Sequence, residues 1–175
     1  MNYLTLFAQK ERGLKLPQAD DVIHIMEIVE LAGLGNVDAK TIAKKIGFDV
    51  RQSSYYRDAA EILGFLDRRR PYHLTDLGRQ YLVSDSITRE KVMLAALYRF
   101  PIMSIVVSCL TSSLVTAVSR QAIEDLASTI TKLNRSVIRR RVQTIFSWME
   151  WIQGHGGVIE VDKDLVRLSA QSKLV

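Results

Sequence analysis

The sequence predicts an α+β fold that is mainly α-helical and consists of two tandem units, each a helix pair followed by a β-hairpin. Two separate stretches, near residues 38–63 and 119–153, carry apolar residues at helical spacing around a short turn. Asp, Ser or Asn stands where each of these helices would begin. Charged turns between β-prone segments follow both stretches. We expect an N-terminal arm at 1–19, a first domain at 20–85 and a second domain at 86–175.

The first helix pair is predicted from its capping residues, after an opening helix from Asp20 to Gly33. Asp38 is expected to cap a short helix that ends at Gly47, because glycine accepts the left-handed backbone that terminates a helix. Asp49 then caps a second helix from Val50 to about Leu63, with Gln52 in the capping-box position. A short helix, a tight turn and a longer helix form the helix-turn-helix arrangement, whose second helix can lie in the major groove.

The second helix of this pair has two different faces. Small or apolar side chains, predicted to meet the core, fall at Ser53, Tyr56, Ala60 and Leu63. The candidate DNA-binding side chains point away from them, at Arg51, Gln52, Ser54 and Tyr55. Arg and Gln can make paired hydrogen bonds to guanine and adenine edges, and the first turn of a recognition helix reaches the bases. Of the two tyrosines, Tyr56 is predicted to be buried and Tyr55 to contact a phosphate or a base.

A basic hairpin is predicted after the helix pair. Phe65–Leu66 and Tyr72–Thr75 are expected as its strands, and a helix from Asp76 to Val83 closes the domain. The turn between the strands contains three cations, at Arg68, Arg69 and Arg70. A helix pair followed by a hairpin with a basic tip is a winged helix, whose tip would contact a phosphate backbone. The alternative is a charged turn that only contacts water.

The second half of the chain is predicted to repeat this plan. A long helical stretch from Thr88 to about Leu110 is interrupted at Pro101, and residues 108–119 are expected to be a helix end followed by a loop. Ser119 is expected to cap one helix, and Asn134 to cap a longer helix that ends near Gln153. A second hairpin is expected to pair residues 158–161 with residues 165–168 around the turn 162–164.

The long helix is predicted to be amphipathic and basic. Its apolar stripe contains Ile138, Val142, Ile145, Met149 and Ile152. Its other face, with the preceding turn, contains the candidate DNA-binding residues Lys132, Arg135, Ser136, Arg139, Arg140 and Gln143. The chain has a net charge of +5, and residues 132–141 contain five cations and no acid. These crowded cations repel one another, and those in the first turns also oppose the helix dipole. A bound polyanion would relieve both the repulsion and the unfavourable dipole interaction. The alternative is an ordinary solvated face.

Two motifs carry a resemblance to a known class of proteins. An Arg51-Gln52-x-x-Tyr55-Tyr56 helix that continues to Leu63-Gly64, followed by Leu74-Thr75-x-x-Gly78, resembles winged-helix domains of prokaryotic restriction-type proteins. In the second half, Trp148-x-x-Trp151-Ile152 resembles the end of the recognition helix in restriction-associated winged helices. The resemblance implies the N-terminal recognition region of a type II (type IIS-like) restriction endonuclease, or a stand-alone relative. The expected partners are double-stranded DNA and a nuclease domain or subunit.

Several function classes are not expected from this sequence. One cysteine, Cys109, and three scattered histidines cannot assemble a zinc site, and no phosphate-binding loop, nucleophile elbow or nuclease metal motif is present. We therefore expect no catalytic residue, metal or cofactor, and a role in DNA binding instead of catalysis. No apolar run is long enough to cross a bilayer, and a cytoplasmic location is expected. A transcriptional regulator and a protein–protein adaptor in a DNA-processing complex remain alternative functions.

Overall fold

The protein is mainly α-helical and contains a small three-stranded antiparallel sheet. A computed structural model describes residue 4 and residues 13–35, 38–68 and 72–170. The chain forms two compact units. The N-terminal unit is Pro17–Ala96, and the C-terminal unit comprises Met1–Leu16 and Leu97–Val175. The division between them lies within a helix, later in the chain than the boundary that we predicted after residue 85.

Four helices make up most of the N-terminal unit: α1 (Val22–Gly33), α2 (Ala39–Ile46), α3 (Val50–Ile62) and α4 (Asp76–Val83). Helix α3 packs against α1 and α2, and α4 packs against α1. The predicted core face of α3 is confirmed, since Ser53, Tyr56, Ala60 and Leu63 are all buried. Burial of this face determines which face of α3 is exposed to solvent.

The helix starts in this unit are stabilised by the predicted caps. The Asp38 carboxylate accepts a hydrogen bond of 2.8 Å from the backbone N–H of Thr41. Asp49 and Gln52 form a reciprocal capping box at the start of α3. Gly47 follows α2 with φ of 80°, in the left-handed region that favours glycine. The turn between α2 and α3 is therefore specified by local chemistry on both sides.

We expect the Asp38 cap to weaken in acid. The hydrogen bond from Thr41 holds the pKa of the Asp38 carboxyl below its ordinary value. Its contribution to stability is therefore complete above the unfolded pKa, near 4, and is lost as the pH falls through the lower folded value. Asparagine also caps helices but does not titrate. In thermal melts, the stability of the wild type relative to Asp38→Asn should stay constant from pH 7 to 5 and fall below pH 4. A difference that does not change with pH would contradict this assignment.

The predicted first hairpin is much shorter than expected. Leu66 and Leu74 form an isolated antiparallel bridge in place of two strands. Two backbone hydrogen bonds flank the bridge, from Asp67 N–H to the His73 carbonyl and from Thr75 N–H to the Phe65 carbonyl, each 3.0 Å long. Residues 69–71, between the paired segments, lie outside the described part of the chain.

The Leu-Thr-x-x-Gly motif holds this bridge against α4. The Thr75 hydroxyl donates to the carbonyl of Gly64 and accepts a hydrogen bond of 3.1 Å from the N–H of Gly78, which caps α4. A Cβ atom at Gly78 would lie 2.3 Å from the Phe65 carbonyl oxygen and 2.9 Å from a Leu74 methyl group. Only glycine permits this approach of helix and chain, so the motif has a packing role.

The C-terminal unit contains the sheet. Its elements are α6 (Pro101–Thr111), β1 (Val118–Ser119), α7 (Arg120–Ile130), α8 (Arg135–Gly154), β2 (Ile159–Asp162) and β3 (Leu165–Leu168). Helix α5 (Ser86–Arg99) precedes α6 and contains the division between the units. The strand order is β1-β3-β2, with Val118 opposite Val166 and Val161 also opposite Val166. The predicted second hairpin is confirmed, whereas β1 was not predicted, because two residues show no alternating pattern.

The core of the C-terminal unit forms around α8. Every residue of the predicted apolar stripe is buried, and the Trp148 ring contacts the Phe100 ring edge-on at 5.6 Å between centroids. Cys109 is buried, and burial raises the pKa of its thiol. At the other end of α8, the Tyr98 hydroxyl accepts a hydrogen bond of 2.8 Å from the Val158 N–H, just before the hairpin. Burial of one face leaves the basic face of α8 outward.

Candidate nucleic-acid interface

The exposed face of α3 presents Arg51 and Tyr55 together. Arg51 is exposed, and its Nε atom donates a hydrogen bond to the Tyr55 hydroxyl. The guanidinium carbon also lies 5.6 Å from the centre of the Tyr55 ring. Within the described residues, the two Nη atoms of Arg51 have no partner. The two Nη atoms are the pair that could donate hydrogen bonds to the edge of a guanine. Tyr55 therefore holds Arg51 through Nε and leaves both Nη atoms available.

Gln52 and Ser54 are partly engaged within α3. The Gln52 Oε1 atom accepts from the Asp49 N–H at 3.3 Å, and the Ser54 hydroxyl donates to the Val50 carbonyl at 3.0 Å. A paired contact to adenine needs both the oxygen and the nitrogen of a glutamine side chain. Such a contact by Gln52 would compete with the capping box. In this unit, Arg51 is therefore better placed to contact a base than Gln52.

Tyr56 is buried and Tyr55 is half-buried, which confirms the predicted difference between them. The Tyr56 hydroxyl donates to Asp20 at 3.1 Å, and its ring stacks on Phe48 at 5.1 Å between centroids. Burial, followed by the nearby Asp20 carboxylate, raises the pKa of Tyr56. His24 lies 2.8 Å from Glu27 and contacts the Phe48 ring. These groups support α3 from behind its exposed face.

A buried arginine that we did not predict lies beside the Tyr72 ring. Arg57 is only 6% exposed, and its Nη2 atom lies 2.9 Å from Asp58 and 2.7 Å from Glu61. Its guanidinium is 5.1 Å from the centre of the Tyr72 ring. Arg57 thereby connects α3 to the segment that carries Leu74. Its Glu61 partner at i+4 was the available sequence signal.

The predicted basic turn is described only at its start. Arg68 is exposed to solvent. Arg69 and Arg70, also predicted to contact phosphates, lie outside the described residues.

The first two turns of α8 form the most basic described surface. Every candidate residue on it is exposed: Lys132, Arg135, Ser136, Arg139, Arg140 and Gln143. The first turn of α8 contains no acid. The Asn134 side chain caps the helix through the Val137 N–H at 3.0 Å and also accepts from the Ser136 hydroxyl at 2.8 Å. Four exposed cations therefore surround the positive end of a capped helix.

Two of these candidate side chains also contact their own unit. Arg139 forms a long ion pair with Glu124 of α7, at 3.7 Å between Nε and Oε2. Gln143 accepts a hydrogen bond of 3.1 Å from Nη1 of Arg120, the first residue of α7. Gln143 is therefore partly engaged, and Arg139 keeps its paired Nη donors.

Arg120, which we did not predict, connects α8 to the hairpin turn. Its guanidinium lies 3.9 Å from the centre of the Phe146 ring, and its Nε atom donates to Asp164. Its backbone N–H donates to the Asp164 carbonyl at 2.7 Å. The turn between β2 and β3 is therefore held beside the outer face of α8. Arg120 and Asp164 are 44 residues apart in the sequence, and local sequence patterns do not predict a contact over that separation.

Both helix surfaces lie within a segment that a protein-family model matches. The model, described as a domain of unknown function (DUF7226), covers residues 21–155, which is more than half of the chain. The chain belongs to the DUF7226 family. The DUF7226 segment begins just before α1 and ends directly after α8, so it includes the basic surfaces of both units. No curated protein and no solved structure matches the chain.

No group of three or more His, Cys, Asp or Glu side chains in the described ranges could hold a metal ion. No single helix in the described ranges has the length and apolarity to cross a membrane. The helices Ser86–Arg99 and Pro101–Thr111 meet those criteria only when they are counted together, and a break separates them.

Proposed function

We propose that this protein binds double-stranded DNA, with the first turns of α8 as the main contact surface and those of α3 as a second. The observation that carries the proposal is the exposed group of Lys132, Arg135, Arg139 and Arg140 at the start of a helix whose opposite face is buried. Neutralising phosphates with such a surface releases the cations condensed on DNA, which makes binding favourable. The same surface is unfavourable in isolation, because its charges repel one another and oppose the helix dipole.

The form of each unit supports a winged-helix interpretation. In the C-terminal unit, the helix pair α7–α8 is followed by the β2–β3 hairpin, and β1 adds the third strand. In the N-terminal unit, α2–α3 is followed by the Leu66–Leu74 bridge and α4. In winged helices the second helix of the pair enters the major groove and the hairpin contacts the backbone. This assigns base contacts to Arg51 and Arg139, and phosphate contacts to Arg68, Lys132 and Arg140.

The biological role that we propose follows the sequence resemblance. The chain would act as a target-recognition module of a restriction endonuclease, or as a stand-alone relative, and would itself carry no catalytic centre. Its partners would then be duplex DNA and a nuclease domain or subunit. A transcriptional regulator would use the same surfaces, so sequences selected from a random duplex pool, compared with their genomic positions, would separate the two roles.

Binding should depend steeply on salt and on the α8 cations. The three assigned phosphate contacts imply a slope of log affinity against log salt of about −3. Lys132→Ala with Arg140→Ala should weaken binding to every duplex by about tenfold or more and reduce that slope by about 2. Fluorescence anisotropy with labelled random-sequence duplexes, from 50 to 300 mM salt, measures both quantities.

Arg99→Ala is the matched control for this experiment. Arg99 is an exposed cation in the C-terminal unit, at the end of α5 and outside the α8 surface. Its loss removes the same kind of charge and should leave affinity and slope nearly unchanged. A wild-type chain whose duplex binding is absent or independent of salt would rule out the proposed function.

A protein–protein adaptor is a second candidate, favoured by one feature of the N-terminal unit. A groove of about 600 Å³ opens between α1 and α2, lined by Leu31, Leu34, Ile46 and the charged or titratable residues His24, Glu27, Glu30 and Lys45. Leu34 is largely exposed. Exposed apolar side chains with a polar rim are typical of protein contact sites. Leu34→Asp should leave duplex affinity unchanged if DNA binding uses the surfaces proposed above.

A further inference from the structure

We propose that Glu124 is a positioning residue that sets how Arg139 is presented to a base pair. This inference rests on the proposed duplex binding and adds a determinant of specificity to it. Glu124 lies on α7, outside the basic surface, and no predicted contact included it. Its side chain is 12% exposed, whereas that of Arg139 is 60% exposed. The carboxylate is therefore the fixed partner and the guanidinium is the group that can move.

The contact engages one edge of the Arg139 side chain. The Glu124 Oε2 atom lies 3.7 Å from Nε, which is longer than a hydrogen bond but within ion-pair distance. Among the described residues, the two Nη atoms of Arg139 make no hydrogen bond. Those atoms are the pair that can donate to O6 and N7 of guanine. A carboxylate at Nε restricts the rotation of the guanidinium and leaves this recognition edge available.

Glu124 also changes the charge that a phosphate backbone would meet. It lines a depression of about 310 Å³ together with Asp125, Arg135 and Leu133, beside the start of α8. An acid at this place lowers the attraction of α8 for every duplex equally. It favours the base contact over a phosphate contact for Arg139, because the anchored guanidinium is less free to follow the backbone. Glu124 therefore lowers general affinity and raises discrimination.

Asp125 provides a matched comparison on the same helix. Its carboxylate accepts a hydrogen bond of 2.8 Å from the Gln121 side chain, one turn earlier on α7. Asp125→Asn removes the same charge as Glu124→Gln, from an adjacent residue, without removing a contact to Arg139. Both variants keep the shape of the side chain. The two substitutions therefore separate a general charge effect from an effect on the orientation of Arg139.

The test measures duplex affinity and base preference for the full chain, using preferred duplexes selected by the wild type and single-base variants of them. Glu124→Gln should raise affinity for random duplexes and reduce the preference at one base pair by about tenfold, within the range expected for one arginine–guanine contact. Asp125→Asn should raise random affinity similarly and leave every preference intact. Arg139→Lys should lose preference at the same base pair, and Glu124→Gln should add no further loss in that background.

The possible outcomes distinguish the two proposals. A wild-type chain that binds no duplex overturns both the proposed function and this inference. Binding without base preference, a preference that Glu124→Gln leaves unchanged, or one that Asp125→Asn reduces equally overturns the role of Glu124 alone. If Glu124→Gln does not fold, as judged by its far-ultraviolet circular dichroism, Glu124→Asp, which keeps the charge and withdraws the carboxylate from Arg139, decides the question. Full retention of the preference in Glu124→Asp overturns the inference, and loss at the base pair that Arg139→Lys also loses supports it.

Discussion

Replacing Gly78 with alanine is expected to lower the free energy of unfolding of the N-terminal unit by about 3 kcal/mol. The added methyl group would lie 2.3 Å from the Phe65 carbonyl oxygen, a backbone atom that is held in place by its hydrogen bond from Thr75. Alanine favours helices over glycine by about 1 kcal/mol, but this gain is smaller than the cost of moving the bridge away from α4. Urea unfolding followed by far-ultraviolet circular dichroism measures the change.

Gly154→Ala is the control for this substitution. Gly154 is the last residue of α8, and a methyl group there would meet nothing within 4 Å. The same chemical change should therefore be neutral or slightly stabilising. Both tryptophans lie in the C-terminal unit, so their fluorescence follows that unit while circular dichroism follows both. A Gly78→Ala variant as stable as the wild type would show that α4 does not need the close approach.

Arg57→Met is expected to destabilise the N-terminal unit by a similar amount, about 3 kcal/mol. Glu61, whose side chain is 11% exposed, would lose its ion-pair partner at 2.7 Å and become a poorly solvated charge. The estimate lies at the low end for a broken buried pair, because the Nε and Nη1 atoms of Arg57 have no hydrogen-bond partner among the described residues. Removing these two buried donors offsets part of the loss. Urea unfolding of both proteins measures the difference.

A double substitution and a surface control make this prediction specific. Arg57→Met with Glu61→Met should recover most of the lost stability, because replacing both members of a buried pair is often nearly neutral. Arg79→Met removes an arginine that is 61% exposed and paired with Asp76, and should cost less than about 1 kcal/mol. A double variant that is no more stable than Arg57→Met alone would show that the arginine acts through packing instead of charge pairing.

The helices could be predicted from sequence because their signals are local. Asp38, Asp49, Ser119 and Asn134 each cap the helix that follows, as their positions predicted. Apolar spacing likewise predicted which faces of α3 and α8 are buried. Capping and periodicity each act within a few residues, so a single sequence records them.

Contacts between distant segments could not be predicted in this way. Strand β1 pairs with β3 across more than forty residues, and Arg120 meets Asp164 over a similar separation. The first hairpin failed as a prediction for a related reason. Its segments 65–66 and 72–75 are β-prone, but the approach of Gly78 and the hydrogen bonds of Thr75 hold them in a single bridge. The ion pair between Glu124 and Arg139 joins two different helices, so the spacing of residues along either helix does not predict it.

The burial of Cys109 makes this chain suitable for site-directed labelling. Cys109 is the single cysteine, it has no exposed surface, and its raised thiol pKa leaves little reactive thiolate at neutral pH. A maleimide dye should therefore react with an introduced surface cysteine and spare the native thiol. Ser136→Cys would place a fluorophore in the first turn of α8, and Ser54→Cys would place one on α3. Quenching on addition of oligonucleotide would then report which of the two helices is covered.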